Sequence, residues 1–342
     1  MKLTTSKTVA LLCIAFVISA VNAGGQETSA GSLDGKIAFL RSGDVYVANI
    51  DGTDTTAVTH TGGKVKEFSF SPNLDYLAFI RSVDADWSEF EVFGLVVMDP
   101  MSAEILTEIP PGGEWPEMGQ WVAFDKLIYC WSSGFDLAGF GTYEVTSKSR
   151  LDHNDDQWGY RLFFGEFTDD WSLMMYTTDS GLGPTSHDRL HIRNIATGED
   201  RIVARKKTIR GFCMSHNKRY IGLRWSESSQ PGTIHQFHIL DLETDSLTRI
   251  YPSATVPSAY AGAAWSYGDS LISFIAGNEA VVISVSSQAE VGRIEGGSFS
   301  WCDDNRILFY RGGGIYIYDL VSKQEKLLVE NAVQPVLLKA VQ

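Results

Sequence analysis

The chain has 342 residues, with 28 Lys and Arg against 42 Asp and Glu, a formal charge of −14 and 44% apolar residues. A surface this acidic opposes phosphate backbones and anionic lipid headgroups, which excludes nucleic-acid binding and membrane-surface attachment as first readings. The length suffices to bury a large core.

In chain order, Met1, Lys2 and Lys7 form a positive head, an apolar run spans 9–21, and Val21-Asn22-Ala23 follows. That order is the pattern of a secretory signal cleaved after Ala23. The apolar run is shorter than the roughly 18 residues a spanning helix needs, so no membrane span is expected once residues 1–23 are removed. Cys13 lies inside that run and leaves with it. The remaining chain is expected to be periplasmic or secreted, beginning with a flexible N-terminal segment at 24–34. Because Lys2 and Lys7 leave too, 26 basic residues then face 42 acidic ones, a formal charge of −16. Cys130, Cys213 and Cys302 remain, an odd number in separate apolar runs. They make no disulfide framework and read as small buried hydrophobes.

Beyond residue 34 no sustained helical period occurs, and short apolar or alternating runs recur between Gly, Asp, Asn and Ser clusters, an all-β pattern. One unit reads Phe68-Ser-Phe-Ser-Pro-Asn-Leu-Asp75, Tyr76-Leu-Ala-Phe-Ile80, Gly94-Leu-Val-Val-Met-Asp99 and Glu104-Ile-Leu-Thr-Glu-Ile109, which makes four strands. Its opening step recurs before Leu173, Tyr220, Leu271 and Arg306, and more loosely at Trp121-Val-Ala-Phe-Asp125. Asp and Asn suit the turn between the first two strands because they cap local backbone groups. Seven such pieces of about 46 residues fit the length expected of propeller blades. The first piece, from Gly35, lacks an opening strand, and the chain finishes with an extra one near 334–338. The fold expected is therefore an all-β propeller of seven four-stranded blades, one domain over 35–338, closed by the C-terminal strand completing the first blade, with 339–342 as a tail. A six-bladed count stays open because the repeat over 114–150 is degenerate.

The run Ser71-Pro-Asn-Leu-Asp-Tyr-Leu-Ala-Phe79, with an apolar strand ending in Asp behind it, resembles the repeats of the TolB-like propellers and of the propellers that precede prolyl-oligopeptidase-type catalytic domains. The resemblance implies fold and export, since such motifs specify blade packing and not function. It differs from TolB in that 24–34 is too short for the additional N-terminal α/β domain. It differs from the peptidases in having no G-x-S-x-G nucleophile turn and no room for a hydrolase domain behind the last blade.

No catalytic residue, metal site or cofactor is therefore expected. His235 and His238 are three apart on a strand and point to opposite faces. His187 and His191 converge only if the intervening loop folds back. The acidic run Asp152-His-Asn-Asp-Asp156 lacks the Gly and bidentate Glu of a calcium loop and reads as an ordinary turn. The functional hint lies in connection lengths. Long segments at 82–92, 110–118, 132–140, 152–160, 178–188, 225–233 and 253–262 enter first strands or join second to third strands, so all open on one face. They bring Trp87, Trp115 and Trp158 near Asp84, Asp86, Asp155 and Asp156, a combination suited to stacking on a sugar or gripping a cationic side chain.

The reading is an exported, non-catalytic, monomeric propeller that binds a protein or carbohydrate partner on the long-loop face. The alternative is a propeller enzyme acting on a polysaccharide or oligosaccharide, of lyase or glycosidase type, with carboxylates near the central channel. A peptidase propeller working with a separately encoded partner is a third reading.

Overall fold

Alternating apolar residues with few helix formers commit each repeat to short strands, and the strands pair into seven separate four-stranded antiparallel sheets. The structure is a computed structural model that describes residues 33–83, 92–109, 115–117, 121, 123–132, 138–153, 165–168, 172–178, 188–194, 196–206, 208–226, 235–251 and 263–339. The signal-like segment and the acidic run beyond His153 lie outside these residues.

The seven sheets are the blades of a β-propeller. Blade 1 consists of Val333–Leu337, Lys36–Arg41, Asp44–Asn49 and Thr56–Ala57, in that spatial order. Blade 2 runs Val65–Phe70, Leu77–Val83, Val92–Met98 and Ile105–Ile109, and blade 3 Trp115–Glu117, Lys126–Ser132, Ala138–Glu144 and Ser149–His153. Blade 4 runs Gly165–Phe167, Leu173–Thr178, Asp188–Asn194 and Asp200–Lys206, and blade 5 Thr208–Met214, Tyr220–Ser226, His235–Asp241 and Ser246–Tyr251. Blade 6 has Ala263–Trp265, Leu271–Ala276, Glu279–Ser284 and Glu290–Glu295, and blade 7 Gly297–Trp301, Arg306–Arg311, Gly314–Asp319 and Gln324–Glu330. The C-terminal strand completes the first blade, pairing Leu337 with Ile37 and Val336 with Ala38. Closure pairs the inner edge of Lys36–Arg41, which would otherwise stand open to another chain.

Burial follows position within the blade. The second strand of blade 1 and the third strand of blade 6 are buried on both faces over four consecutive residues, because a neighbouring blade covers each face. The fourth strands at Asp200–Lys206 and Gln324–Glu330 are mostly exposed and carry the charge. The apolar clusters accordingly lie between blades. Met175, Leu190 and Ile192 pack on Ile209, Leu223 and Trp225 between blades 4 and 5. Phe237 and Ile239 meet Trp265, Phe274 and Val281 between blades 5 and 6, and Ile37 and Phe39 meet Leu308, Ile315 and Val329 across the closure.

The turn between first and second strands is built the same way in several blades. The Ser71 hydroxyl donates to Asn73 Oδ1 and accepts from the Tyr76 amide, and the Leu74 amide donates to the Ser71 carbonyl. Ser215 repeats each bond with Asn217, Tyr220 and Lys218. The serine is thus the hub that the sequence reading had assigned to Asp and Asn in general. Position four of the turn is left-handed, at φ 65° for Leu74, 60° for Lys218 and 54° for Asp269.

Just before that turn, a tryptophan ties each of three blades to the one before it. Trp121 donates its indole N–H to the Ser69 carbonyl at 3.2 Å, Trp265 to Cys213 at 3.1 Å and Trp301 to Ala264 at 3.2 Å. Tyr76 stacks on Trp121 and Tyr220 on Trp265, both at 6.0 Å between ring centroids. Position four of the turn adds a second tie: Asp269 accepts the amides of His216 and Asn217, and Lys218 Nζ donates to Ser172. Trp265→Phe should lose the cross-blade bond and part of the buried ring volume, costing about 1–3 kcal/mol, whereas Trp265→Ala should cost about 3–5 kcal/mol. Urea unfolding of the two variants measures the split.

Candidate functional site

Antiparallel pairing places the entry to every first strand and the connection from every second to third strand on one face, as the sequence indicated. The structure adds that this face is lopsided. In blades 1, 6 and 7 the second-to-third connections are only Ser42-Gly43, Gly277-Asn278 and Gly312-Gly313. Blade 7 follows blade 6 through Gly296, and the closing strand follows through Asn331-Ala332. The connections of eight or more residues on this face, 84–91, 154–164, 179–187, 227–234 and 252–262, all belong to the arc from blade 2 to the entry of blade 6, which also holds the shorter 110–114, 133–137 and 207, while the seven-residue 58–64 leads into blade 2 from the other side. The opposite face carries turns of four to six residues, apart from 118–125 in blade 3.

The tight arc is sealed by its own backbone. Gly43 sits at φ 71°, and a Cβ there would lie 2.2 Å from the Gly63 carbonyl oxygen, so only glycine fits. Beside it Asp44 accepts the Thr61 and Gly63 amides and the Thr59 and Thr61 hydroxyls. Burial pushes its carboxyl pKa up, but these four bonds together hold it below the ordinary value. Such donors stabilise the carboxylate over the acid.

Of the residues singled out from sequence, Asp84, Asp86 and Trp87 lie in 84–91 and Asp155, Asp156 and Trp158 in 154–164, outside the described residues. Both segments open on the long-connection face, one joining the second to the third strand of blade 2 and the other entering blade 4. Trp115 corrects the reading, because it opens the first strand of blade 3 and pairs with Ser132 instead of sitting in a loop. A three-residue strand containing Pro116 gives no alternation to detect. Asp152 and His153 likewise belong to a strand, paired with Gly141 and Phe140, so the acidic run does not start as a turn. Cys213 and Cys302 are buried and in no disulfide, as expected, and burial pushes the Cys302 pKa up to about 12.

Two clusters that reach the long arc, one through Thr178 and one through Trp225, escaped the sequence reading. In blade 4, Thr178 Oγ1 lies 3.0 Å from His191 Nε2, and His191 Nδ1 lies 2.9 Å from Asp200 Oδ1. The Tyr176 hydroxyl donates to the other oxygen of Asp200, and the Tyr176 ring stacks on His191 at 4.7 Å. Burial first, then the Asp200 carboxylate, raises the phenol pKa, which keeps it a donor. In blade 5, Trp225 stacks on His238 at 3.7 Å, and Lys206 Nζ sits 4.2 Å from the Trp225 ring centroid. Burial, and after it the charges of Lys206 and Arg249, lowers the His238 pKa to about 4.

The signal for both clusters is tertiary. Tyr176 pairs with His191 and Leu223 with His238 across neighbouring strands, and the segments 179–187 and 227–234 separate the partners in sequence. Sequence reasoning paired His191 with His187 and His235 with His238 by proximity along the chain. Among the described residues no group of three or more His, Cys, Asp or Glu side chains is placed to hold a metal ion, and no helix is long and apolar enough to cross a membrane.

Comparison with known proteins agrees with the architecture. No family model matches the sequence, and no curated protein matches it significantly. Among solved structures, TolB from Acinetobacter baumannii aligns with 89% of this chain and 67% of its own, at 13% identity and a TM-score of 0.50. The tricorn protease aligns with 86% of this chain at 12% identity and a TM-score of 0.51, and this chain spans 34% of it. A prolyl endopeptidase aligns with 86% of this chain at 11% identity and a TM-score of 0.57, and this chain spans half of it. At these identities the likeness is one of fold.

The His238 environment gives a signed pH dependence. Its folded pKa near 4 lies below the ordinary 6.5, so between these values the unfolded chain binds a proton that the folded chain does not. Stability should therefore fall as pH drops from about 6.5 toward 5, and His238→Gln should flatten that slope. Melting temperatures of both proteins across this window provide the check.

Proposed function

We propose that the protein is an exported binding propeller whose contact surface is the long-connection face over blades 2 to 5. The observation that supports this most is that every connection of eight or more residues on this face falls on one arc of the ring. A rigid scaffold presenting extended connections on one side is the usual way a fold holds recognition residues. Seven sheets packed face to face, three of them tied to the preceding blade by an indole bond, supply the rigidity, and the arc from 84–91 to 252–262 supplies the variable surface.

Within that surface Trp87 and Trp158, with Asp84, Asp86, Asp155 and Asp156 near them in sequence, make a carbohydrate or a cationic protein segment the favoured partner. Aromatic faces stack on sugar rings or on guanidinium and ammonium groups, and the carboxylates take hydroxyls or positive charge. Export, through removal of residues 1–23, places this surface in the periplasm or outside the cell.

A glycan and peptide array probed with the purified protein tests the reading. Saturable binding to one class of glycan or peptide is expected, and the Trp87→Ala, Trp158→Ala double variant should lose it while keeping its melting temperature within a few degrees. Array binding unchanged in the double variant, or a collapse of its stability, would show that these tryptophans serve the blades and not a ligand.

A further inference from the structure

The Tyr176, Thr178, His191 and Asp200 cluster stands out when the blades are superposed through their strand register. Phe39 faces Tyr46 in blade 1, Phe79 faces Val96 in blade 2, Tyr176 faces His191 in blade 4 and Phe309 faces Tyr316 in blade 7. Two residues after the first member of each pair, at the long-connection end of the second strand, stand Arg41, Arg81, Thr178 and Arg311. The arginines are tied down: Arg41 donates to the Glu330 carbonyl, Arg81 to the Glu108 carboxylate and Arg311 to Glu325. Blades 5 and 6 have Trp225 and Ala276 at the same position, and blade 4 has a hydroxyl, an imidazole and a carboxylate in a row where blades 1, 2 and 7 have an arginine tether.

The direction of hydrogen bonding in that row follows from chemistry. Asp200 as a carboxylate only accepts, so the neutral His191 ring must carry its proton on Nδ1. Nε2 is then an acceptor, and the Thr178 hydroxyl must donate to it. A hydroxyl donating to Nε2, with the opposite ring nitrogen donating to a carboxylate, is the polarity that lets an imidazole act as general base toward an alcohol. Asp200 is itself fixed by the Tyr176 hydroxyl on its other oxygen. Thr178 is half-buried and is the last residue before the connection 179–187, so the row ends at the rim of the long-connection arc.

We infer that Thr178 is a nucleophile, with His191 as its general base and Asp200 as the positioning residue, acting on a carboxylic ester presented at this rim. This adds chemistry to the face proposed above for binding and does not depend on which partner that face takes. Thr178 Oγ1 attacks the ester carbon as its proton passes to His191 Nε2. The bond from that carbon to the leaving oxygen then breaks, and the leaving oxygen takes the proton from Nε2. Water attacks the acyl-threonine by the same route, giving up one proton through Nε2 to Thr178 Oγ1 and releasing the carboxylic acid.

The test reads the nucleophile and base alone, in a single turnover. A small dialkyl fluorophosphonate added to the purified protein should lose fluoride and phosphonylate Thr178, located by peptide mass spectrometry. Thr178→Ser should label, Thr178→Val should not, and His191→Asn should label at least about 100-fold more slowly, the usual minimum contribution of a general base. Melting temperature checks that each variant is folded. Absence of label at residue 178 in the natural chain, or equal labelling in folded His191→Asn, would overturn the assignment and leave the row a structural substitute for the arginine tether. Array binding is read separately, so either proposal can fail alone.

Discussion

The contact on which the rest of the molecule depends is the one between successive blades near the start of the second strand. A four-stranded sheet of six-residue strands cannot bury both of its apolar faces by itself, so each blade is stable only when sandwiched. The indole of Trp121, Trp265 or Trp301 supplies bulk and direction together, filling the seam while its N–H takes a backbone carbonyl of the preceding blade. That carbonyl belongs to a first strand, next to the serine-centred turn. Fixing it fixes the angle at which the next blade leaves the ring. The Asp269 and Lys218 contacts at the same level reinforce the angle with charge-assisted bonds.

A ring built from repeated seams has to close, and the closure uses the chain ends. The strand Val333–Leu337 takes the first place in blade 1 beside Lys36–Arg41, and Ile37 and Phe39 complete a core with Leu308, Ile315 and Val329 of blade 7. The tight connections cluster next to that closure. Blades 6, 7 and 1 turn through glycine and end-on backbone contacts such as Gly43 against Gly63. Long connections are thereby confined to the opposite arc, where the rigid seams hold their ends apart at fixed spacing. Architecture and candidate function are linked at this point, since the part of the ring that is free to vary is the part away from its clasp.

The rim of that arc also departs from the repeat in its chemistry. Where blades 1, 2 and 7 carry Arg41, Arg81 and Arg311 near the end of their second strands, held by a carboxylate or a carbonyl, blade 4 has Thr178 against His191 and Asp200, and blade 5 has Trp225 against His238 under Lys206. Both imidazoles are held in defined surroundings, one by a carboxylate and one by burial beside positive charge. Ordinary blade packing requires neither, as the other blades demonstrate.

The sequence by itself determined the class of fold and the way the ring closes, and it favoured seven blades while the degenerate repeat over 114–150 left six open until the structure showed seven sheets. Period-two alternation and a recurring turn motif are local signals, and the missing first strand and surplus last strand are a matter of counting. It also determined which connections are long and that they share a face, because antiparallel pairing alternates the ends. Trp115 was misplaced because three residues with a proline carry no period. Only the tertiary structure decided what lies across the strands. Tyr176 meets His191 and Trp225 stacks on His238 through register, with 179–187 and 227–234 between the partners, and Asp200 joins from a fourth strand. The cross-blade indole bonds have the same origin, spanning 52 residues from Trp121 to Ser69 and from Trp265 to Cys213. A hydrogen bond depends on distances of about 3 Å, and the chain fixes such distances only after every intervening turn has been made.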